Sequence, residues 1–166
     1  MPSTERYLIR RAVVEDIPAI IELERGCASA AHWTELQYQQ MFLSNEGPAA
    51  RLVLVADASP ESLVKAGEGT RLAGFLVAHH LAPEWELENI IVATSARRTG
   101  LGKRLLDALF DEAAETNSHA VFLEVRESNS AARALYEKSG FERTRRRKSY
   151  YSNPVEDAVL YRREVS

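Results

Sequence analysis

Residues 88–106 read Glu88-Asn89-Ile90-Ile91-Val92-Ala93-Thr94-Ser95-Ala96-Arg97-Arg98-Thr99-Gly100-Leu101-Gly102-Lys103-Arg104-Leu105-Leu106. An apolar run leads into a turn with two glycines hedged by cations. Leucines at 101, 105 and 109 then recur at helical spacing. This is a strand, a tight turn and a helix. The start of a helix carries unpaired N–H groups and a partial positive charge. Glycine lets a backbone come close to a phosphate. Gly100 and Gly102, with Arg97, Arg98 and Lys103, therefore suit a pyrophosphate. The long spacing and the Gly-Lys-Ser/Thr ending of a Walker loop are absent, as is the third glycine of a dinucleotide fingerprint. A plain strand-to-helix turn explains the same glycines, and spacing alone leaves the two readings level.

Working outward, residues 7–13 read as a first strand. Helical spacing of Ile17, Ile20 and Ile21 follows, with Pro18 confined to the first turn. Thr34 and Gln37 form a capping-box signature for a second helix to about Leu43. Strands are predicted over 51–57, 72–81 and 85–93, with a polar, exposed hairpin loop over 58–70. The glycine turn and its helix run to about Asn117. A strand over 120–125, a short helix over 130–140 ended by Gly140, and a closing strand pair around Ser152-Asn153-Pro154 complete the chain. The order β-α-α-β-β-β-α-β-α-β-β implies an antiparallel meander plus one parallel pair joined by a right-handed crossover. We read one mixed α/β domain over 1–166.

The chain has 166 residues, 45% hydrophobic and 27% charged, with a net charge of −3. That charge gives no global pull toward nucleic acid or an anionic membrane. Cys27 is the one cysteine, so no intramolecular disulfide can form. There is no apolar signal-peptide core at the start and no run near the roughly 18 apolar residues of a membrane helix. A cytoplasmic protein is expected, without nucleic acid or membrane partners. His79 and His80 are adjacent and face opposite sides of a strand, so no metal is expected there. The cations of Arg143–Lys148 split over two strand faces and read as a solvated strand.

The Arg97-Arg98-Thr99-Gly100-Leu101-Gly102 stretch resembles the R/Q-x-x-G-x-G/A motif of the GCN5-related N-acetyltransferases, and the element order is that family's. Within it, the runs at 89–92, 97–109, 122–141 and 146–160 resemble the bacterial ribosomal-protein-alanine N-acetyltransferases. The likeness covers roughly 85–163, and earlier residues only in order and in Ala31-His32-Trp33-Thr34-Glu35. It implies a mostly antiparallel sheet of about seven strands with one splayed parallel pair and about four helices. It implies acetyl-CoA as co-substrate, its pyrophosphate on Arg97, Arg98, Thr99, Gly100, Leu101, Gly102 and Lys103. Its pantetheine arm would lie along Ile90, Ile91 and Val92 as an added strand, with Asn129 contacting it.

Acetyl transfer needs a neutral amine, a donor for the oxyanion and a proton for the leaving thiolate. An α-amine, with a pKa of roughly 7.7–8.0, needs milder deprotonation than lysine at about 10.4. Glu124 interrupts an apolar strand, where a carboxylate would have a raised pKa; the family position marks it as the base, acting directly or through a water. An exposed strand end is the plainer reading. Tyr136, at the family's acid position, would protonate the CoA sulfur; otherwise it is a core aromatic. The Val92 N–H is the oxyanion donor by analogy. Glu86 and Glu88, i and i+2 on one strand face, are alternative bases or a solvated pair. Trp33 walls the peptide site or serves as a hydrophobic staple before Thr34; the family's Phe-Pro preceding this tryptophan is Ala31-His32 here. Tyr150 and Tyr151 border the substrate in the resembling enzymes. Cys27 reads as an inert thiol. The resulting expectation is direct acetylation of a protein N-terminus, a ribosomal protein among the candidates. A lysine or small-amine acetyltransferase and a non-catalytic acyl-CoA-binding module are the alternatives.

If backbone donors carry the phosphate site, Gly100→Val weakens CoA binding more than Arg97→Ala does, as calorimetry would measure.

Overall fold

The computed structural model describes residues 7–27, 30–43, 50–58 and 72–165. Strands are β1 (Tyr7–Arg11), β2 (Arg51–Ala58), β3 (Leu72–Leu81), β4 (Glu84–Val92), β5 (Ala120–Arg126), β6 (Glu142–Tyr151) and β7 (Glu156–Glu164). The longer helices are α1 (Ile17–Arg25), α2 (Glu35–Leu43), α3 (Leu101–Glu115) and α4 (Ser130–Lys138). The expected loop over 58–70 lies outside the described residues except for Ala58, which belongs to β2.

The seven strands form one sheet in the order β1-β2-β3-β4-β5-β7-β6. Only β4 and β5 run parallel. This is the mixed, mostly antiparallel sheet with one parallel pair that the element order implied. Helices α1 and α2 cover one face, where Ile17, Ile20, Tyr38 and Met41 pack on Val55, Phe75 and Val77. Helices α3 and α4 cover the other, where Leu101, Leu105, Leu109 and Tyr136 pack on Leu76, Leu87 and Leu123. Burying two opposite stripes on one sheet is what a three-layer α/β arrangement requires.

Local signals explain the helix starts. Pro18 stands in the first turn of α1. The capping box forms as spaced: Thr34 N donates to Gln37 Oε1 at 2.8 Å, and Gln37 N donates to Thr34 Oγ1 at 3.2 Å. Trp33 and Tyr38 meet edge to face at 5.7 Å, the N′-to-N4 contact of a hydrophobic staple. Gly140 follows α4 at φ +86. Strand β6 forms the sheet edge and is exposed over nearly its whole length; such charge on an edge discourages pairing with another chain.

The register of β4 positions everything that follows. Val77 pairs with Asn89 and Ala78 with Leu87, which leaves Glu88 as an extra residue. A bulge of this kind reverses the alternation beyond it. Trp85 and Leu87 before it, and Ile90 and Val92 after it, pack on the α3 side. Ile91 packs on the α1 side. The parallel ladder to β5 holds only from Glu84↔Ala120 to Glu86↔Phe122 and then ends. The two strands separate where the bulge begins.

Gly74 permits the approach of β3 to this bent strand. A Cβ there would stand 2.8 Å from the Ile91 carbonyl oxygen, which is backbone and cannot move aside cheaply. Gly74→Ala should cost about 1–3 kcal/mol of stability, read as a lower urea midpoint with an unchanged m-value.

Candidate active site

A cavity of about 360 Å³ occupies the gap between β4 and β5. Glu124 and Tyr136, assigned opposite proton-transfer roles from sequence, both line it, as do Ile90, Ile91, Asn129 and Tyr151. Residues from the α1–α2 side, Cys27 and Ala31, meet residues from the α4 side, Ala132 and Tyr136, across the opening. The splay thus makes a passage between the two faces of the sheet.

Tyr136 is 7% exposed. Burial pushes its hydroxyl pKa well above the usual phenol range, so it carries a proton at neutral pH. Glu124 does not sit in the apolar setting expected of it. Arg147 Nη1 lies 3.4 Å from its Oε1, and the Tyr150 hydroxyl hydrogen-bonds to it. That bond and the carboxylate charge raise the Tyr150 pKa. Tyr151 packs edge to face on Tyr150 at 5.1 Å, with the Arg126 guanidinium 4.3 Å from its ring centroid. Tyr150 is half exposed and stands outside the cavity lining, at Glu124's outer side.

Glu86 and Glu88 share a face, as their spacing suggested, but they are not a solvated pair. Arg51 Nε donates to Glu88 at 2.9 Å, and its Nη2 to the other carboxylate oxygen at 3.1 Å. Glu86 is partly buried, and its carboxyl titrates above the ordinary range through burial first, then through the charges of Glu88 and Glu124. His79, opposite Glu86 in the ladder, completes a group whose ligand atoms lie within 4.8 Å of one another. That spacing could hold a cation, and a reading of adjacent histidines could not see it, because the other two donors come from the neighbouring strand. Glu88 there is already engaged by Arg51.

The second half of the candidate site is the start of α3. Gly100 occupies the N-cap position at φ +81, and a Cβ there would meet nothing within 4 Å. The glycine therefore serves the left-handed conformation. The Arg104 N–H bonds to the Gly100 carbonyl, so the N–H groups of Leu101, Gly102 and Lys103 have no partner within the helix. Arg97, Arg98 and Thr99 are exposed beside them. Lys103 is less available than expected, since Asp107 binds its Nζ at 2.7 Å. Gly102 serves packing: a Cβ would stand 3.0 Å from a Leu135 methyl and 3.8 Å from a Val92 methyl. The end of β4 therefore abuts the start of α3. Asn129 caps α4 by accepting from Ala132 N at 3.2 Å, which leaves its amide N–H groups for the cavity. These donors and the left-handed glycine fit a pyrophosphate followed by an extended arm.

Trp33 is not in the cavity lining. It borders a separate groove with Gln37, Gln40, Met41 and Arg51, and its packing is accounted for by the staple with Tyr38. Sequence reading also missed Glu24, Tyr38 and Asn89, which form a buried hydrogen-bonded cluster beside the cavity. The signal was a polar residue at an inward position of an apolar helix or strand.

The profile of the Acetyltransferase (GNAT) family matches residues 17–141. The chain is 34% identical over 154 residues to the [ribosomal protein bS18]-alanine N-acetyltransferase of Salmonella typhimurium, covering 91% of this chain and 93% of that protein. It superposes on the crystal structure of the ribosomal-protein-S18-alanine N-acetyltransferase from Escherichia coli with a TM-score of 0.75 at 30% identity, over 96% and 94% of the two chains. The NatC complex bound to Gag peptide and CoA shares the fold, at a TM-score of 0.77 and 20% identity over 97% and 99% of the chains. The chain belongs to the GNAT acetyltransferase family, and its activity is that of an acetyl-CoA-dependent N-acetyltransferase.

The raised Glu86 carboxyl has a consequence for stability. The folded state holds this proton more tightly than the unfolded chain, whose value is near 4.5. Stability contributed by Glu86 is complete below that value and is lost as pH rises through the folded pKa. Glu86→Gln should therefore flatten the fall in melting temperature above pH 4.5 and leave the variant the more stable at neutral pH, in thermal unfolding at stepped pH.

Proposed function

We propose that this acetyltransferase modifies the N-terminal α-amine of a protein, of the ribosomal-protein-alanine type. The supporting observation is that Glu124 and Tyr136 face one cavity through the β4–β5 gap, in a chain similar along nine-tenths of its length to a transferase of that kind. The acceptor enters from the α1–α2 side, between Cys27, Ala31 and Tyr151. Acetyl-CoA enters from the α3–α4 side, its pyrophosphate on the free N–H groups of the α3 start and its arm along Ile90, Ile91 and Val92.

The strand geometry supports the oxyanion donor. The Ala93 N–H bonds to Ala73 O on β3 at 2.8 Å. Successive N–H groups point to opposite strand edges, so the Val92 N–H points toward β5, past the end of the parallel ladder. It can donate to the thioester oxygen as negative charge grows there. Glu124 takes the ammonium proton, directly or through a water, so the amine attacks as a neutral nucleophile. The collapsing adduct expels the CoA sulfur, which takes the Tyr136 proton, while the proton still on the adduct nitrogen passes to solvent, from which Tyr136 is reprotonated. Arg147 and the Tyr150 hydroxyl hold Glu124 toward the cavity mouth. Transfer is direct in a ternary complex, with Cys27 a lining residue and not a carrier. The whole chain acts as one domain.

A second reading has its own observation. Glu86, Glu88 and Glu124 interact electrostatically at the acceptor side, which suits an acceptor with a further ammonium, such as a polyamine or a lysine side chain.

Mass spectrometry with acetyl-CoA and a panel decides between them. Peptides with free Ala, Ser, Met or Gly termini would be run beside blocked peptides with free lysine, and beside polyamines. Acetylation of free termini with alanine preferred is the expected result; transfer confined to lysine or polyamines would reject it. Glu124→Gln and Tyr136→Phe should each lower kcat about a hundredfold or more while calorimetric acetyl-CoA binding is retained.

A further inference from the structure

Beneath the acceptor side lies a carboxylate that this chemistry does not use. Glu24, on α1, is 2% exposed. Among the described residues no cation pairs with it. The Tyr38 hydroxyl donates to Glu24 Oε1 at 2.9 Å, and Asn89 Nδ2 donates to the same oxygen at 3.0 Å. A buried carboxylate whose partners among the described residues are neutral donors is costly, and apolar residues of the same shape would pack as well or better. Stability does not explain the arrangement.

Asn89 connects it to the reaction. It stands one residue beyond the bulge, so it faces α1, and it lines the cavity together with Glu124 and Tyr151. An asparagine amide can be turned two ways, but a carboxylate only accepts. Glu24 therefore selects the orientation with the NH2 turned inward and Oδ1 turned away. Tyr38 stays a donor to Glu24, because burial and the Glu24 charge keep its hydroxyl protonated. Among the described residues nothing donates to Asn89 Oδ1.

We propose that Asn89 orients the acceptor, taking an N–H of the incoming primary amine on Oδ1, and that Glu24 is its positioning residue. One N–H anchored on Oδ1 and the other directed to the base leave the nitrogen lone pair facing the acetyl carbon. This rests on the reading that the α1–α2 side admits the amine.

The test is steady-state kinetics of wild type, Asn89→Ala, Glu24→Gln and the double variant, with whichever panel amine the wild type acetylates best, alongside thermal unfolding. Glutamine keeps the shape of Glu24 but can offer its own NH2 and let Asn89 turn over. Asn89→Ala and Glu24→Gln should each raise the acceptor KM roughly five- to tenfold, with the acetyl-CoA KM within about twofold. The melting temperature of Glu24→Gln should not fall. The double variant should be no worse than Asn89→Ala, because Glu24 acts through Asn89. An unchanged acceptor KM in Asn89→Ala, effects that multiply in the double variant, or a joint rise of both KM values with lost stability would overturn the inference while acetylation by the wild type stands. A wild type that acetylates no amine on the panel would instead defeat the reading of function, and the inference with it.

Discussion

One extra residue in β4 organises this protein. Glu88 has no partner on β3, and the strand bends and twists around it. Ahead of the bulge, β4 pairs with β5 over three residue pairs, and at the bulge the ladder stops. The gap that opens is where a β-sheet would ordinarily close, and its edges carry backbone N–H groups with no strand to bond. A cofactor arm that behaves as a strand satisfies such an edge. The same bend reverses which side chains face α1 and which face α3, so Asn89 reaches Glu24 while Ile90 and Val92 reach the other layer. Gly74 accommodates the close approach that follows.

The charges in the cleft are balanced in pairs. Arg51 neutralises Glu88 and Arg147 stands by Glu124, while Glu86 faces both carboxylates without a cation of its own in hydrogen-bond reach among the described residues. Across the gap, the Tyr136 hydroxyl is shielded from all of these by its own burial. Glu124 on β5 and Tyr136 on α4 thus sit in contrasting surroundings, the kind of difference that the opposite proton-transfer roles proposed for them require. The polar setting of Glu124 departs from the apolar one that its neighbours in sequence imply, because Arg147 and Tyr150 arrive from β6, more than twenty residues further on.

Much of this was legible early. Thr34 and Gln37 announced α2, Pro18 fixed the start of α1, and Gly140 ended α4, because each acts within four residues of itself. The strand–turn–helix around Gly100 and Gly102 was equally local. Trp33 shows the limit. A tryptophan before a cap serves as a staple or as a pocket wall, and only the position of Tyr38, about one turn into the folded helix, shows the staple made. Glu24 continues the inward stripe of Ile17, Ile20 and Ile21, but that its carboxylate is buried and paired depends on Tyr38 and Asn89, which come from other elements.

The amino-acid sequence alone fixed the order of elements, the helix starts and the glycine turn that opens α3, since those follow from backbone preferences and short-range periodicity. Tertiary structure alone decided which carboxylates were buried, which were paired, and which residues share the cavity. Those outcomes depend on partners from other strands. They also depend on a bulge that shifts alternation by one residue, and a strict period of two along β4 cannot register that shift.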